Sequence, residues 1–257
     1  MCENCGCANH SHNSHLVSNP DHPHSSRHLP IQQAILAKND RLAQHLRETL
    51  QHRGIIALNL LSSPGSGKTS LIERSLTDLT PRFSMAVIVG DLETDNDAQR
   101  LRGKEASVVQ ITTENVCHLE ANMIETALAE LNLDAVQFLF IENVGNLVCP
   151  AAYDLGETVR VVLLSATEGE DKPLKYPTLF KTADAVVINK MDIAEAVGFD
   201  RNLAISNIRK IAPQAQILEL SARSGSGIQS WYHYLEKLYQ TIAIEDSNPA
   251  VKLYNNN

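Results

Sequence analysis

The sequence predicts an α/β fold of the P-loop NTPase class, with a mainly parallel sheet that is covered by helices on both faces. Short apolar runs alternate with helical patterns from residue 55 onward, and this alternation is typical of βαβ units. A loop rich in glycine and serine joins the first of these runs to the helix that follows it. Such loops bind phosphate in α/β proteins, so the same region predicts a nucleotide site.

The predicted strands and helices follow from the periodicity of the apolar residues. Strand-like runs cover residues 55–61, 85–89, 107–111, 136–141, 159–164, 185–188 and 216–220. Helical patterns cover residues 69–79, 95–102, 119–131, 200–211 and 228–241. One more amphipathic helix is predicted over residues 31–52, because apolar residues recur there mostly at four- or seven-residue spacing. These residues are Ile31, Ile35, Leu42, Leu46 and Leu50.

Composition divides the chain into three expected parts. Residues 1–30 hold six of the ten histidines and almost no large apolar residues, so we expect a flexible, Cys/His-rich metal-binding segment. Residues 31–241 are expected to form one P-loop domain with its leading helix, and the motifs described below predict that it is a GTPase. Residues 242–257 are expected to be a loose tail.

The chain as a whole has the features of a cytoplasmic protein. Its formal net charge is −8, which argues against nucleic acid or an anionic membrane as a partner. Its apolar runs are too short to cross a bilayer, and its first residues lack the pattern of a secretory signal. The five cysteines are an odd number, and in such a setting they are more often metal ligands or thiols than disulfides.

The sequence SSPGSGKT at residues 62–69 predicts a phosphate-binding loop. Lys68 would reach the β- and γ-phosphates, and the Thr69 hydroxyl would bind Mg²⁺. Ser62 stands where the usual motif has its first glycine, so a simple turn before an ordinary helix is the alternative. The residues expected to hold the nucleotide here are Ser63, Pro64, Gly65, Ser66, Gly67, Lys68, Thr69 and Ser70.

Two later loops predict that the base is guanine. Asp192 of the sequence NKMD can accept hydrogen bonds from N1–H and N2–H₂ of guanine, a donor pair that adenine lacks. The Lys190 stem would lie across the base, and Asn189 would tie the loops together. The six residues expected at the base are Asn189, Lys190, Asp192, Ser221, Ala222 and Arg223.

Acidic residues at two strand ends are the catalytic candidates. Asp91 and Glu142 are expected near Mg²⁺, and the Gly145 N–H is expected to face the γ-phosphate. Asp95 is the candidate for orienting the attacking water. The alternative is that these are solvated acidic loops without a catalytic role.

The cysteines predict two metal sites. Cys2, Cys5 and Cys7 place three thiols within six residues, and thiolates favour Zn²⁺ and Ni²⁺ over Mg²⁺ or Ca²⁺. Histidines after them would add a weaker reservoir for metal.

The second set is Cys117, His118 and Cys149. Cys117 and His118 precede a predicted helix whose dipole would favour a thiolate. A buried cysteine is also a common small apolar residue, and a lone histidine is often structural. Cys149, however, follows Gly145 by four residues, so metal affinity and nucleotide state would be linked if this segment moves with the γ-phosphate.

Several strings together resemble the HypB family of hydrogenase nickel-insertion GTPases, which are P-loop proteins of the G3E/SIMIBI type. The resemblance runs from about residue 29 to residue 238, and it rests on SSPGSGKT, GDLETDND, CHLEA, FIENVGNLVCP, TEGEDKPLKYP and NKMD. It implies slow GTP hydrolysis, a homodimer that depends on GTP and metal, and the cofactors GTP, Mg²⁺, Ni²⁺ and Zn²⁺. It also implies two partners, a HypA-like nickel metallochaperone and the large-subunit precursor of [NiFe]-hydrogenase.

The resemblance extends to the metal ligands. Cys117, His118 and Cys149 match the metal site of the family's G domain, which lies at a dimer interface where symmetry supplies six ligands. The early cysteine cluster matches the N-terminal nickel site of some members. Residues 113–117 depart from the family pattern, since Glu114 and Val116 stand where a glycine-containing turn is usual.

Three rival functions remain at this stage. A urease-type nickel GTPase is disfavoured because Cys149-Pro150 is followed by Ala151 rather than by histidine. A metal-storage protein with a secondary GTPase domain is supported by the N-terminal histidines and cysteines, and deletion of residues 1–30 would distinguish it. The third rival is a GTPase chaperone for a cofactor enzyme of another kind. The sequence NVGNLVCP argues against it, because that function does not need a cysteine in this segment.

Overall fold

The computed structural model describes residues 28–92, 96–104, 106–114 and 116–247. Most of the predicted metal-binding segment 1–30 and residues 248–257 of the predicted tail lie outside the described residues. No helix within the described ranges is both long and apolar enough to cross a membrane.

Seven parallel strands form one sheet in the order β3-β2-β4-β1-β5-β6-β7. The strands are β1 (Ile56–Ser62), β2 (Met85–Asp91), β3 (Ser107–Thr112), β4 (Phe138–Glu142), β5 (Val159–Ser165), β6 (Ala185–Asn189) and β7 (Gln216–Glu219). Every strand lies within two or three residues of its predicted position. The parallel sheet with its helical layers confirms the predicted fold class.

The central strand β1 is buried on both of its faces. Ile56, Leu58 and Leu60 pack into the core on one side of the sheet, while Ala57 and Leu61 pack into two cores on the other side. Successive side chains of a strand point to opposite faces, so a strand that is covered twice needs a continuous apolar run. This explains why the sequence IIALNLL shows no alternation of polar and apolar residues.

The helices divide between the two faces. They are α1 (His28–His52), α2 (Lys68–Leu79), α3 (Asn96–Leu101), α4 (Ala121–Ala129), α5 (Lys172–Lys175), α6 (Pro177–Lys181), α7 (Arg201–Ile211) and α8 (Ile228–Ser247). Buried residues of α2, α3 and α8 share one core. Those of α1 and α4 share a second, and those of α6 and α7 a third. Helices therefore cover both faces of the sheet, because the connection between two parallel strands must cross over a face of the sheet and usually contains a helix.

The leading helix α1 is fastened by polar contacts as well as by its apolar stripe. Arg47 forms an ion pair with Asp154 at 2.5 Å, and Asn39 donates to the Asp154 carbonyl at 2.8 Å. The apolar stripe faces the core only in the second half of the helix, because Ile35 is 48% exposed while Leu46 and Leu50 are buried. The helix begins at His28, three residues before the predicted start.

Two predictions of local structure need correction. Helix α8 continues to Ser247, into the stretch 242–257 that was predicted as a loose tail. Tyr239 and Ile242 pack against the core at this point, which supports the additional turns. Between β5 and β6, the short helices α5 and α6 were not predicted, because four and five residues are too few to show a helical period.

Gly156 marks a close approach between α1 and the loop before β5. It lies at φ +80°, and a Cβ atom there would lie 2.7 Å from the Ala43 carbonyl oxygen and 2.8 Å from the Leu46 Cβ.

We expect Gly156→Ala to lower the free energy of unfolding by about 3 kcal/mol or more, because displacement of α1 adds to the strain of the left-handed backbone. Gly198→Ala is the matched control, since its φ is +69° but no atom lies within 4 Å, and we expect a loss of about 1 kcal/mol. Urea unfolding measures both, and equal losses would contradict tight packing of α1.

Candidate functional site

The loop of residues 63–67 leaves the carboxyl end of β1 and enters α2 at Lys68. The neighbours of β1 are β4 and β5 on its two sides, so the loop lies where successive crossovers diverge, the place where open α/β sheets bind ligands. Gly67 has φ +100°, and a Cβ there would lie 2.4 Å from the Asn189 side-chain nitrogen. Glycine is required at this position by both conformation and space.

A cavity of about 450 Å³ opens against this loop, and we call it the nucleotide cavity. Its walls come from residues 64–70, from the ends of β2 and β4, and from the start of α3. Three cationic side chains, Lys68, Arg100 and Lys190, contribute to its lining. A cavity of this size with cations and a helix N-terminus suits a polyphosphate ligand.

Ser62, which departs from the usual glycine of the motif, contacts the loop lysine. Lys68 is 7% exposed, and its Nζ donates to the Ser62 hydroxyl oxygen at 3.0 Å. Burial lowers the pKa of Lys68, while nearby carboxylates, Glu142 above all, oppose that change. Ser62 therefore supplies a neutral acceptor that keeps the buried ammonium hydrogen-bonded.

Glu142 closes β4 beside this lysine and is 3% exposed. Its Oε1 accepts from the Thr69 hydroxyl at 2.7 Å, while its Oε2 has no hydrogen-bond partner among the described residues. Burial raises the pKa of Glu142 to about 7, against the opposing effects of Lys68 and Thr69. An unsatisfied buried carboxylate oxygen next to a hydroxyl fits a hard divalent cation such as Mg²⁺, which prefers oxygen ligands.

The other acidic candidates differ in their positions. Asp91 ends β2 and lines the nucleotide cavity. Asp95 lies outside the described residues, so its predicted place beside the attacking water stays a prediction. Asp97, in the first turn of α3, also lines the cavity but was not predicted.

The predicted guanine loops meet the phosphate loop through Asn189. Its Nδ2 donates to the Ser66 carbonyl at 2.8 Å, and its Oδ1 accepts from the backbone N–H of Lys190 at 2.8 Å and of Ala222 at 3.0 Å. The Lys190 Nζ donates to the Gly65 carbonyl at 2.7 Å. One buried amide thus links three loops that lie far apart in the sequence.

The remaining residues of the guanine loops are more open. Asp192 and Arg223 are exposed, whereas Ser221 is buried. The Ser221 hydroxyl accepts from the Ser224 N–H at 3.1 Å and so shapes the loop. Lys190 has φ +62°, one of two non-glycine residues with positive φ in the described ranges, and this turns NKMD sharply away from β6.

Two residues near the loop were not predicted from the sequence. Glu168 accepts hydrogen bonds from the Ser63 and Ser66 hydroxyls, although no role was assigned to it within TEGEDKPLKYP. Arg100 donates to Glu73 at 2.7 Å and to the Ser70 hydroxyl at 3.4 Å while it lines the nucleotide cavity. No motif of fixed spacing identifies either residue as functional, and they lie beside the loop only because of the fold.

Cys117, His118 and Cys149 come together as predicted, and we call them the metal triad. Their ligand atoms lie within 4.8 Å of one another. Bond lengths of about 2.3 Å to sulfur and about 2.0 Å to nitrogen require ligand atoms roughly 3.6 Å apart around a tetrahedral ion, so small movements would bring the three ligands to bonding distance of one ion. Glu114 is not part of this group, and the predicted ligands Cys2, Cys5 and Cys7 lie outside the described residues.

The histidine of the metal triad is held in a form that can bind metal. His118 is 5% exposed, and its ring stacks on Tyr153 with centroids 3.9 Å apart. Within the described part of the chain neither ring nitrogen has a hydrogen-bond partner, although Nε2 lies 3.5 Å from a Glu120 oxygen. Burial lowers the pKa of His118 in spite of Glu120, and the neutral ring is the form that coordinates metal.

The loop before the triad contains a strained residue. Glu114 has φ +52°, and its N–H donates to the Leu92 carbonyl at 3.1 Å. Its side chain is exposed. The expected effect of the helix dipole on Cys117 needs correction, because α4 begins at Ala121 and the dipole acts mainly within the first turn.

A glycine-rich loop between the central parallel strand and a helix, with a lysine and a threonine at the helix start, defines a P-loop nucleotide-binding protein. Comparisons with known proteins narrow this class. Residues 56–219 match the family model "CobW/HypB/UreG, nucleotide-binding domain". The chain is 48% identical over 210 residues to the hydrogenase maturation factor HypB of Rhizobium leguminosarum bv. viciae, a match that covers 82% of this chain and 70% of that protein.

Two further comparisons agree. The chain is 44% identical to the hydrogenase/urease maturation factor HypB of Helicobacter hepaticus over 231 residues, covering 88% of this chain and 94% of that protein. The crystal structure of HypB from Helicobacter pylori in complex with nickel matches with a TM-score of 0.76 and 44% identity, covering 79% of this chain and 96% of that one. The chain belongs to the HypB family.

The buried Glu142 predicts a specific pH dependence of stability. The pKa of Glu142 in the folded protein, about 7, lies above the ordinary value of 4.5. The protonated carboxyl group therefore contributes fully to the free energy of unfolding below about pH 4.5, and this contribution is lost as pH rises through 7. The loss is on the order of 3 kcal/mol. Glu142→Gln keeps an acceptor for Thr69 but cannot ionise, so we expect its unfolding free energy to fall less between pH 5 and pH 8.

Urea unfolding in the presence of a chelator, without nucleotide, measures this difference. Glu125→Gln is the control, because Glu125 is exposed on α4 and its replacement should leave the wild-type pH profile unchanged. Parallel profiles for the wild type and Glu142→Gln would show that the carboxyl group titrates normally.

Proposed function

We propose that this protein is a GTP-hydrolysing metallochaperone that binds nickel and zinc and assists nickel insertion into the [NiFe]-hydrogenase large-subunit precursor. One observation carries the proposal: the segment of residues 142–149 contacts the phosphate loop at one end and supplies Cys149 to the metal triad at the other. The names of the relatives, hydrogenase maturation factors, support the client. Nickel in the Helicobacter pylori structure supports the cargo.

The phosphates of GTP would lie along residues 63–70, with Lys68 and Arg100 balancing their charge. Thr69, Asp91 and Glu142 would hold Mg²⁺, which supplies charge stabilisation for the β- and γ-phosphates when bound. Water would attack the γ-phosphate in line with the leaving oxygen. The Gly145 N–H would face the γ-phosphate, and Asp95 remains the candidate that orients the water.

The guanine base would lie between the loops that Asn189 joins. Asp192 would accept from N1–H and N2–H₂, the Lys190 stem would cover one face of the ring, and the segment Ser221, Ala222 and Arg223 would close the edge. The exposure of Asp192 supports this role, because the carboxylate is open to an incoming ligand.

Asp192→Asn tests the choice of base. An amide can accept from N1–H but cannot accept from N2–H₂ of guanine, whereas it can donate to the carbonyl at that position of xanthine. We expect GTP affinity to fall at least tenfold and the affinity for xanthosine triphosphate to rise, as measured by titration of each nucleotide. Glu195→Gln, a nearby exposed carboxylate, should change neither affinity. Unchanged discrimination between GTP and ATP in Asp192→Asn would contradict the assignment.

The metal triad would bind the nickel or zinc that is carried. Two-fold symmetry in a homodimer formed with GTP would bring two triads together and supply six ligands. Cys2, Cys5 and Cys7 would form a second site, and a HypA-like metallochaperone would be the partner in transfer. Hydrolysis of GTP would then reset the metal-loaded dimer.

Nickel titration of the full chain, with Cys2, Cys5 and Cys7 replaced by serine, tests the link between metal and nucleotide. We expect the nickel affinity with GDP to differ at least fivefold from that with a non-hydrolysable GTP analogue, a normal size for coupling between sites. Cys149→Ala should remove the difference by removing the ligand on the shared segment. Dimer formation is followed in the same samples by light scattering. Equal nickel affinity in both states would favour the rival function, a metal-storage protein with a secondary GTPase domain.

A further inference from the structure

We propose that Asn143 is the positioning residue that transmits the nucleotide state to the metal triad, through its hydrogen bond to the backbone N–H of Leu119. This role rests on the proposed function, since it requires a nucleotide and a metal ion on one chain. The sequence analysis assigned no role to Asn143, although the residue lies within FIENVGNLVCP. The contacts of its side chain carry the inference.

The Asn143 side chain is buried and its hydrogen-bonding groups are engaged. It is 1% exposed, and its Oδ1 accepts from the N–H groups of Leu119 at 3.3 Å and of Val144 at 2.9 Å. Its Nδ2 donates to the Asn59 Oδ1 at 3.2 Å. Asn143 also lines the nucleotide cavity, so the same residue adjoins the phosphate side and holds the residue that follows His118.

Leu119 is held from a second direction as well. It is fully buried, and it packs so closely on Gly90 that a Cβ at position 90 would lie 2.8 Å from its side-chain carbons. Gly90 lines the nucleotide cavity too. The loop that presents Cys117 and His118 is therefore fixed between two residues that border the nucleotide cavity, and it has little freedom to move independently of them.

The residues on both sides of Asn143 contact the phosphate loop. Glu142 accepts from Thr69, and Gly145 lies so close to the loop that a Cβ there would be 3.0 Å from the Pro64 Cα. Asn143 stands between these two contacts. A shift of residues 142–145 on exchange of GTP for GDP would therefore move the acceptor of the Leu119 N–H.

The other side of Asn143 is anchored in the sheet. Asn59, in the middle of β1, is itself fixed by a hydrogen bond from its Nδ2 to Glu157 at 3.2 Å. Glu157 pairs with Arg160 at 2.7 Å, and both side chains are nearly buried. With that anchor in place, the 3.3 Å bond to Leu119 is the longest of the Asn143 side-chain bonds, and it is the one that spans the two functional loops.

Asn39 offers a matched control in the same region. Its buried amide accepts from the Ala121 N–H at 2.9 Å and donates to the Asp154 carbonyl at 2.8 Å. It therefore holds the chain two residues beyond Leu119, but it comes from α1 and does not line the nucleotide cavity. We expect Asn39→Ala to perturb the local packing but to leave the hydrogen bond between the Leu119 N–H and Asn143 in place.

The test compares nickel affinity with saturating GDP and with a non-hydrolysable GTP analogue, in full chains whose Cys2, Cys5 and Cys7 are serine. We expect the ratio of the two affinities to fall to within about twofold of one in Asn143→Ala. Asn143→Asp keeps an acceptor for the Leu119 N–H but loses the donor to Asn59, so it should retain more of the ratio than Asn143→Ala does. Asn39→Ala should keep the whole ratio, even if it lowers thermal stability as much as Asn143→Ala does.

A wild-type ratio in Asn143→Ala, or an equal loss in Asn39→Ala, would overturn the role of Asn143 and leave the proposed function standing. A ratio of one in the unsubstituted protein would instead overturn the coupling and this role together. If Asn143→Ala does not fold, Asn143→Ser gives the same readout, since its hydroxyl is too short to reach the Leu119 N–H.

Amide hydrogen exchange at Leu119 provides a readout without metal. We expect its protection to differ between the GDP and analogue states in the wild type and to be equal in Asn143→Ala. Equal protection in the two states of the wild type would also overturn the proposal.

Discussion

The structure of the site depends on one buried hydrogen bond, from the Thr69 hydroxyl to the Glu142 carboxyl group. It joins the first turn of α2 to the end of β4 and so closes the phosphate loop against the neighbouring strand. A carboxyl group in this place is costly to bury, and Lys68 offsets part of that cost by its charge. The other carboxylate oxygen, Oε2, has no hydrogen-bond partner among the residues that the structure describes, and an oxygen of this kind suits a hard cation. Binding and stability therefore make opposite demands on the same side chain.

The fold could be read from the sequence because its signals are local. Each strand is a short run rich in apolar residues, and each long helix shows its period, so the order of the elements and the parallel sheet could be predicted directly. Helices α5 and α6 were not predicted because they are too short to show a helical period. The end of α8 was not predicted because Tyr239 and Ile242 are only partly buried, and they pack against the core only in the folded chain. Local patterns contain no such information.

The site was predictable only where a motif has fixed spacing. The phosphate and guanine loops are motifs of consecutive residues, and Cys149 was noticed because it follows Gly145 by four residues. Glu168 and Asn143 could not be found in this way, because their partners lie 105 and 84 residues away. Those contacts exist because the strand order places β4 and β5 on either side of β1. A contact set by strand order is invisible until the topology is known.

The left-handed backbone of Glu114 has an energetic cost for the loop that contains it. A non-glycine residue in this conformation stores roughly 1 kcal/mol of strain, close to the metal triad and in the loop that leads to it. The folded chain holds the residue in this conformation, so other contacts must offset the strain, and the hydrogen bond from the Glu114 N–H to the Leu92 carbonyl is one of them.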